Sequence, residues 1–420
     1  MSSKKITLLV VIESLNVDDS SGTKGRVAFI KSLAQAGYAV TVLHFTQKEL
    51  QLEGVACHAV KEQKNNVVYL LSRVHRLLNR WFKIDITNTV DKLFGFSFGF
   101  FNDANSLKSA IKHYKPEAYD MLWTLSKGNS YRSHKAVLGL PEWHEKWYAY
   151  VHDPFPQQLY PRPYNYVPHG YRQQRLFFRD ITLKAKRIVF PSLLLKEWMQ
   201  SYYAAIEGKS LIIPHQSSID IENSDMGFPD YFKVDRFNVL HAGNLLNLRN
   251  PKPIVEAYQL FLEHYPDAVD NSSLIFLGKP SMYDAYFSKQ KNVTPSLYAS
   301  DDYVPFNAVY AMQQAASVNV ILEAKSEISP FLPGKFAHCV AANKPIVVVG
   351  PYYSECKRLL GDGYPYCFEF DAIERLASVF GNLYTKWKKE PDQLRLDRPD
   401  LITYLSVDYL KKTIEQDTII

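Results

Sequence analysis

The chain has 420 residues, a mass of 48.3 kDa and a formal net charge of +6. That length is too great for one hydrophobic core and suits two, and 46% apolar with 22% charged residues excludes a disordered or fibrous chain. No window reaches 18 apolar residues, which argues against a transmembrane helix, and a mild positive charge without a recognisable binding module argues against nucleic acid as partner.

The start, MSSKKITLLVVIESL, carries a short apolar run broken by Glu13 and lacks a small-residue cleavage site. It reads as a first buried strand, not a signal peptide. GTKGRVAFIKSLAQAG (22–37) follows as a glycine-flanked helix, with Gly37 suited to the position just past its end. YAVTVLHF is the next strand, so the chain opens with a βαβ unit and a parallel sheet.

Basic residues then cluster over 62–83 and again over 172–187. VVYLLSRVHRLLNRWFK sorts Leu, Val, Trp and Phe to one side and Arg and Lys to the other. A surface helix with a solvated basic face has this pattern, and so does a helix lying on a membrane surface. Further on, a helix is expected at 104–114, strands at 120–126 and 147–153, a helix near 170–185 and a strand at 187–192. The Pro- and Tyr-rich loop 154–169 leaves the end of a strand, where open sheets place ligands.

The alternation restarts at 237 with FNVLHAG, PIVEAYQLFLEHY, SLIFLGK, FNAVYAMQQA, VNVILEA and PIVVVG. The expected organisation is an α/β chain with a first domain over 1–215, a polar linker over 216–235 and a second domain over 236–402. A terminal helix over 403–420 would cross back onto the first domain. Cys57, Cys339, Cys356 and Cys367 show no metal spacing and read as reduced packing residues of a cytosolic protein.

Two loops attract attention as sites. In EISPFLPGKFAHCVAANKPIVVVG (327–350), Lys335 opens a helix just after Pro333-Gly334. A cation at that end is electrostatically unfavourable unless something negative sits there. In HAGNLLNLRN (241–250), Gly243 follows a strand and Arg249 precedes a helix, again the wrong end for a cation. Two such cations suggest a diphosphate, yet neither the GxxxxGK[ST] nor the GxGxxG pattern is present. A diphosphate held without those motifs points to a nucleotide sugar.

These motifs, in order, resemble the GT-B glycosyltransferases, most of all the retaining group 1 (GT4-like) family. The resemblance rests on SSGTKG (20–25), VHDP (151–154), RIVFPS, IIPHQSSID, HAGNLLNLRNPKPIVEAY and SPFLPGKFAHCVAANKP, and covers most of the chain. It implies two Rossmann-like domains with parallel sheets facing across a cleft, a nucleotide-sugar donor, a glycan or lipid-linked acceptor and no metal or other cofactor. The location it implies is cytoplasmic, or peripheral at the inner face of a membrane.

Carried over by position, Arg249 matches a basic residue on the donor diphosphate, while Asn244 stands where a partner Arg is usual, leaving that charge to Lys335 or to loop amides. Gly243 belongs to the same turn, and Gly22 and Gly25 let backbone approach the donor from the first domain. His152 matches a histidine near the transferred sugar, and Asp153 orients it or binds an acceptor hydroxyl. The family's paired glutamates fall on Pro330 and His338; His338 is left as a ribose ligand, and Glu327, ahead of Glu323, as the substitute acid. A nucleotide-sugar 2-epimerase and a non-catalytic nucleotide-sugar binding protein are the competing readings.

Overall fold

A computed structural model describes residues 5–216, 227–245, 248–278 and 281–419, without the side chains of Ser21, Phe82, Ser281, Thr418 and Ile419. Most of the expected linker (217–226), the end of IIPHQSSID (217–220) and residues 246–247 of the HAGNLLNLRN loop lie outside the described residues. Contacts divide the chain into two units. One is Met1–Tyr160 with Tyr164–Ser218 and Leu405–Ile420; the other is Ile219–Tyr404 with Pro161–Pro163.

In the first unit seven strands pair in parallel: β1 (Thr7–Ile12), β2 (Ala39–His44), β3 (Ala56–Ala59), β4 (Met121–Leu125), β5 (Trp147–Tyr150), β6 (Arg187–Phe190) and β7 (Ser210–Ile212). Their order is β3-β2-β1-β4-β5-β6-β7. The direction of winding reverses between β1 and β4, with Thr7 opposite Ala39 and Leu8 opposite Met121. The run Leu-Leu-Val-Val-Ile in β1 is apolar without alternation because both faces of a parallel sheet are covered. Leu9 and Val11 face a core with Trp143 and Phe178, while Leu8, Val10 and Ile12 face another with Phe29 and Trp123.

That second core also holds Leu410 and Ile414 of the C-terminal helix Val407–Ile419, which packs against the helix Ser21–Gln35. Tyr148 Oη donates to Asp417 Oδ2 at 2.7 Å, and Arg187 Nε donates to the other carboxylate oxygen. Two local expectations need correction. The glycine-flanked helix expected over 22–37 runs Ser21–Gln35: Ser20 caps it, accepting from Thr23 N at 3.2 Å, and Gly22 and Gly25 lie inside its first two turns. The helix expected at 104–114 starts at Phe98, since Ser97 supplies the cap, and ends at Ile111.

The second unit repeats the winding with β8 (Phe237–Ala242), β9 (Ser272–Leu277), β10 (Leu297–Ala299), β11 (Val318–Leu322), β12 (Ile328–Ser329), β13 (Ile346–Val349), β14 (Tyr353–Ser354) and β15 (Cys367–Phe368). The large sheet runs β10-β9-β8-β11-β13-β15, all parallel, and β12 with β14 forms a separate short ladder. Helices Lys252–His264 and Ile373–Lys389 cover one face through Tyr258, Phe261, Phe380 and Tyr384. Tyr258 keeps its hydroxyl satisfied inside that core on Ser272 Oγ (2.7 Å) and Ser296 Oγ (3.1 Å). The four cysteines are free thiols, and Cys57, Cys339 and Cys356 are buried.

Candidate functional site

In the second unit glycines stand at two strand ends. Gly243, after β8, has φ +143°, and Gly278, after β9, has φ +126°, conformations that favour glycine. A Cβ on Gly278 would stand 2.7 Å from the Gly243 carbonyl carbon, so the two turns touch backbone to backbone. A Cβ on Gly243 would stand 2.5 Å from Lys335 Nζ and 3.9 Å from His241 Nε2. Lys335 is therefore not displayed at the mouth of its helix, Lys335–Ala341; its ammonium reaches across to the end of β8.

Both of these nitrogens are buried and have no hydrogen-bond partner among the described residues. His241 Nδ1 lies 3.0 Å from the Val320 carbonyl, which can only accept, so Nδ1 carries a proton, and Nε2 is turned toward Gly243. Burial, then the neighbouring Lys335 charge, hold the His241 pKa well below the ordinary value and keep the ring neutral. Burial first and the charge of Arg249 second lower the Lys335 pKa to about 7. A buried ammonium close to a guanidinium, with no carboxylate bonded to it, leaves positive charge at the end of β8 that the described residues do not neutralise by an ion pair. Asn244 is exposed beside it on the same turn.

His338, one helical turn after Lys335, is half-buried with its ring edge-on to Phe306 (5.2 Å) and Tyr310 (5.7 Å). Glu327 is exposed; its Oε1 accepts from the Arg162 N–H at 3.1 Å, and its own N–H donates to the Arg162 carbonyl at 2.9 Å. Glu323, at the end of β11, is 3% exposed and accepts from Ser329 Oγ at 2.8 Å. Burial raises its pKa, against the opposing hydrogen bonds of Ser354 and Ser329 and the charge of Lys357. Glu323 thus joins β11 to the β12–β14 ladder, while Glu327 serves backbone at the surface.

In the first unit the ends of β5 and β7 bring His152 and His215 together, their rings stacked at 5.7 Å. Ser126 fixes His152 twice, accepting its backbone N–H at 3.0 Å and meeting Nδ1 at 3.1 Å. A Cβ on Gly25 would lie 3.8 Å from His215 Nδ1, so the glycine leaves that imidazole open toward the helix start. Arg26, 2% exposed, donates to Thr23 Oγ1 at 2.8 Å and to the Ser126 carbonyl at 3.2 Å. Burial lowers the His215 pKa to about 4, with Arg26 adding to the effect. For His152 burial again leads, followed by His215 and Arg26, and the pKa falls well below normal. Asp153 moves the other way, raised by burial against a hydrogen bond from Tyr160 and the Arg26 charge. The group gathers neutral imidazoles and one buried cation at the ends of β5 and β7.

No family model matches the chain. No curated protein matches it either. Solved structures do: a glycosyltransferase from Rickettsia africae ESF-5 aligns with a TM-score of 0.61 at 14% identity, covering 98% of this chain and 97% of that one. The E. coli trehalose-6-phosphate structure bound with UDP-2-fluoro glucose aligns at 0.59 and 12%, over 98% of both chains. A UDP-forming alpha,alpha-trehalose-phosphate synthase from Burkholderia xenovorans, in complex with glucose-6-phosphate, aligns at 0.61 and 11%, over 98% and 99%. The fold is GT-B.

Within the GT-B frame, Gly243, Arg249 and Lys335 come together in the second unit, and Gly25 and His152 in the first. The sequence reading passed over Arg26, His215 and His241. Arg26 looks like a polar interruption of an amphipathic helix, and His241 like an ordinary core residue of FNVLHA. His215 carried a signal, since it lies inside the IIPHQSSID motif already singled out.

Proposed function

We propose that this chain is a glycosyltransferase that moves a sugar from a nucleotide-sugar donor to a glycan or lipid-linked acceptor, with retention at the anomeric carbon. The observation that carries the reading is the unpartnered pair Lys335 Nζ and His241 Nε2 beneath the Gly243 turn of a GT-B second unit. Lys335 and Arg249 take the donor diphosphate, Gly243 and Asn244 let its oxygens approach backbone, and His338 meets the ribose. From the first unit Gly22 and Gly25 give the helix start room for the donor, His152 touches the transferred sugar, and Asp153 takes an acceptor hydroxyl. Glu327, held by Arg162, is the acid that stands in for the family's missing carboxylate.

In the chemical step the glycosidic C–O bond to the diphosphate breaks, and the acceptor oxygen bonds to the same carbon on the same face. The acceptor proton passes to the departing diphosphate oxygen, whose growing charge Lys335 and Arg249 stabilise. No metal is invoked. The uridine nucleotide bound by the E. coli neighbour makes a UDP-sugar the first donor to try. The exposed apolar stripe of Val67–Phe82 suits a protein peripheral at the inner face of a membrane, although no helix among the described residues is long and apolar enough to cross one.

Calorimetry against UDP-, GDP-, ADP-, CMP- and dTDP-sugars tests the donor site. One donor binds, and Arg249→Ala and Lys335→Ala each weaken it tenfold or more; absence of binding to every donor overturns the reading. Release of the nucleoside diphosphate only when acceptor is added separates a transferase from an epimerase and from a silent binder.

A further inference from the structure

Ser126 directly follows β4, and the parallel register sets the end of that strand beside the end of β5, with Leu125 opposite Tyr150. The Ser126 N–H donates to the Tyr150 carbonyl at 3.1 Å. Its own carbonyl accepts from the Arg26 guanidinium at 3.2 Å. The residue is fully buried, so with its backbone pinned on both sides only the hydroxyl can turn.

That hydroxyl serves His152. Its oxygen accepts the His152 backbone N–H at 3.0 Å and lies 3.1 Å from Nδ1 of the ring. The hydroxyl proton has two takers, Nδ1 and the Tyr131 phenol oxygen. A neutral imidazole nitrogen is much the stronger base, so the serine donates to Nδ1 and the ring keeps its proton on Nε2. Tyr150 stacks on the ring at 4.2 Å and His215 at 5.7 Å, which fixes its plane. Burial, above all, keeps the ring neutral. Nε2 has no hydrogen-bond partner among the described residues, and His152 is half-buried, so that nitrogen is the one left for a ligand.

Resting on the reading of His152 as the residue that touches the transferred sugar, we propose that Ser126 is a positioning residue: it holds the His152 ring with its proton on Nε2, so that the ring offers this N–H to a hydroxyl oxygen of the sugar. As the bond to the diphosphate breaks, the anomeric carbon becomes electron-poor. A neutral donor fixes the sugar without setting a full positive charge beside that carbon, as an imidazolium would. Arg26 acts one step further out, through the Ser126 carbonyl.

Long-range proton–nitrogen correlation spectra of the intact chain, isotope-labelled at histidine, report which ring nitrogen carries the proton, and His152→Gln assigns the signals. We expect the proton on Nε2, with Nδ1 accepting a hydrogen bond. In Ser126→Ala the Nδ1 resonance should move toward that of an unbonded ring nitrogen, and in Ser126→Thr, which keeps the hydroxyl, it should return. His134, fully buried in the same unit, keeps its signals and reports that the variants are folded. A proton on Nδ1 in the intact chain overturns the proposal without any variant, and so does an Nδ1 resonance that Ser126→Ala leaves in place.

Calorimetry with UDP-glucose and with UDP reads the sugar contact. Ser126→Ala should weaken UDP-glucose about three- to tenfold, the worth of one hydrogen bond, and UDP, which has no sugar, less than twofold. Equal losses for both ligands make the serine merely structural and overturn the positioning role. UDP-glucose that binds to no sample, with spectra as expected, overturns the donor reading and the sugar contact resting on it, and leaves the hold of Ser126 on His152 standing.

Discussion

Gly243 and Lys335 occupy one space: the point where a Cβ would stand on the glycine is 2.5 Å from the lysine Nζ. An ammonium has been routed through the vacancy of a missing side chain to the end of a buried strand. Gly243→Ala is expected to push the lysine aside and to strain a backbone at φ +143°. Donor affinity should fall at least tenfold and stability by about 1–3 kcal/mol, measured by calorimetry and by thermal unfolding of the same sample.

Burial and then the charge of Arg249 lower the Lys335 pKa to about 7, because both disfavour its charged form. A diphosphate favours that charge, so binding near pH 7 should take up a fraction of a proton. A nucleotide sugar has no phosphate proton of its own to lose in this range. Binding enthalpy should therefore vary with the ionisation enthalpy of the buffer, and affinity should fall as pH rises from 6 to 8. Lys335→Met should abolish the buffer dependence together with most of the binding, and should raise the melting temperature by removing a buried charge.

Asp103 has its carboxyl pushed up to about 6 by burial, against the charge of Arg132 and reinforced by Glu62 and Glu13. The folded state then holds a proton that the unfolded chain, with an ordinary value near 4, has released. The sign follows: this group favours the fold most below about pH 4, and the contribution is lost as pH rises through about 6. Asp103→Asn should remove a fall in stability on the order of 2 kcal/mol across that window, visible as the difference between the two urea-unfolding profiles at pH 4 and pH 7.

Asp417 is 6% exposed and serves both Tyr148 and Arg187. Asp417→Ala leaves a mostly buried guanidinium unpaired and should destabilise the first unit by about 2–4 kcal/mol. Hydrogen exchange would locate the loss in β5, β6 and the terminal helix, with the second unit unchanged.

The alternation of strands and helices was legible because each parallel strand is a dense apolar run bounded by glycine or polar residues, as in β1, β8 and β13. β15, two residues long, carried too little pattern to be seen, and its place at the sheet edge depends on pairing with Val348 and Val349. Lys335 stood out because a cation at a helix start needs a reason. The reason, contact with Gly243, spans residues far apart in sequence and cannot be read from spacing. The helix Val67–Phe82 shows the general limit: periodicity sorts residues onto two faces but does not say which face meets the protein. There the protein takes the polar one.

The tie between Arg187 and Asp417 spans 230 positions. During synthesis, the sheet of the first unit emerges with the groove that receives Leu410 and Ile414 still open. At about 5–20 residues per second, the ribosome needs roughly 10–50 s to deliver the closing helix, and it makes residues 219–404 of the second unit in between. The first unit thus lacks Leu410 and Ile414, two residues of its own core, until residues 219–404 of the second have been made.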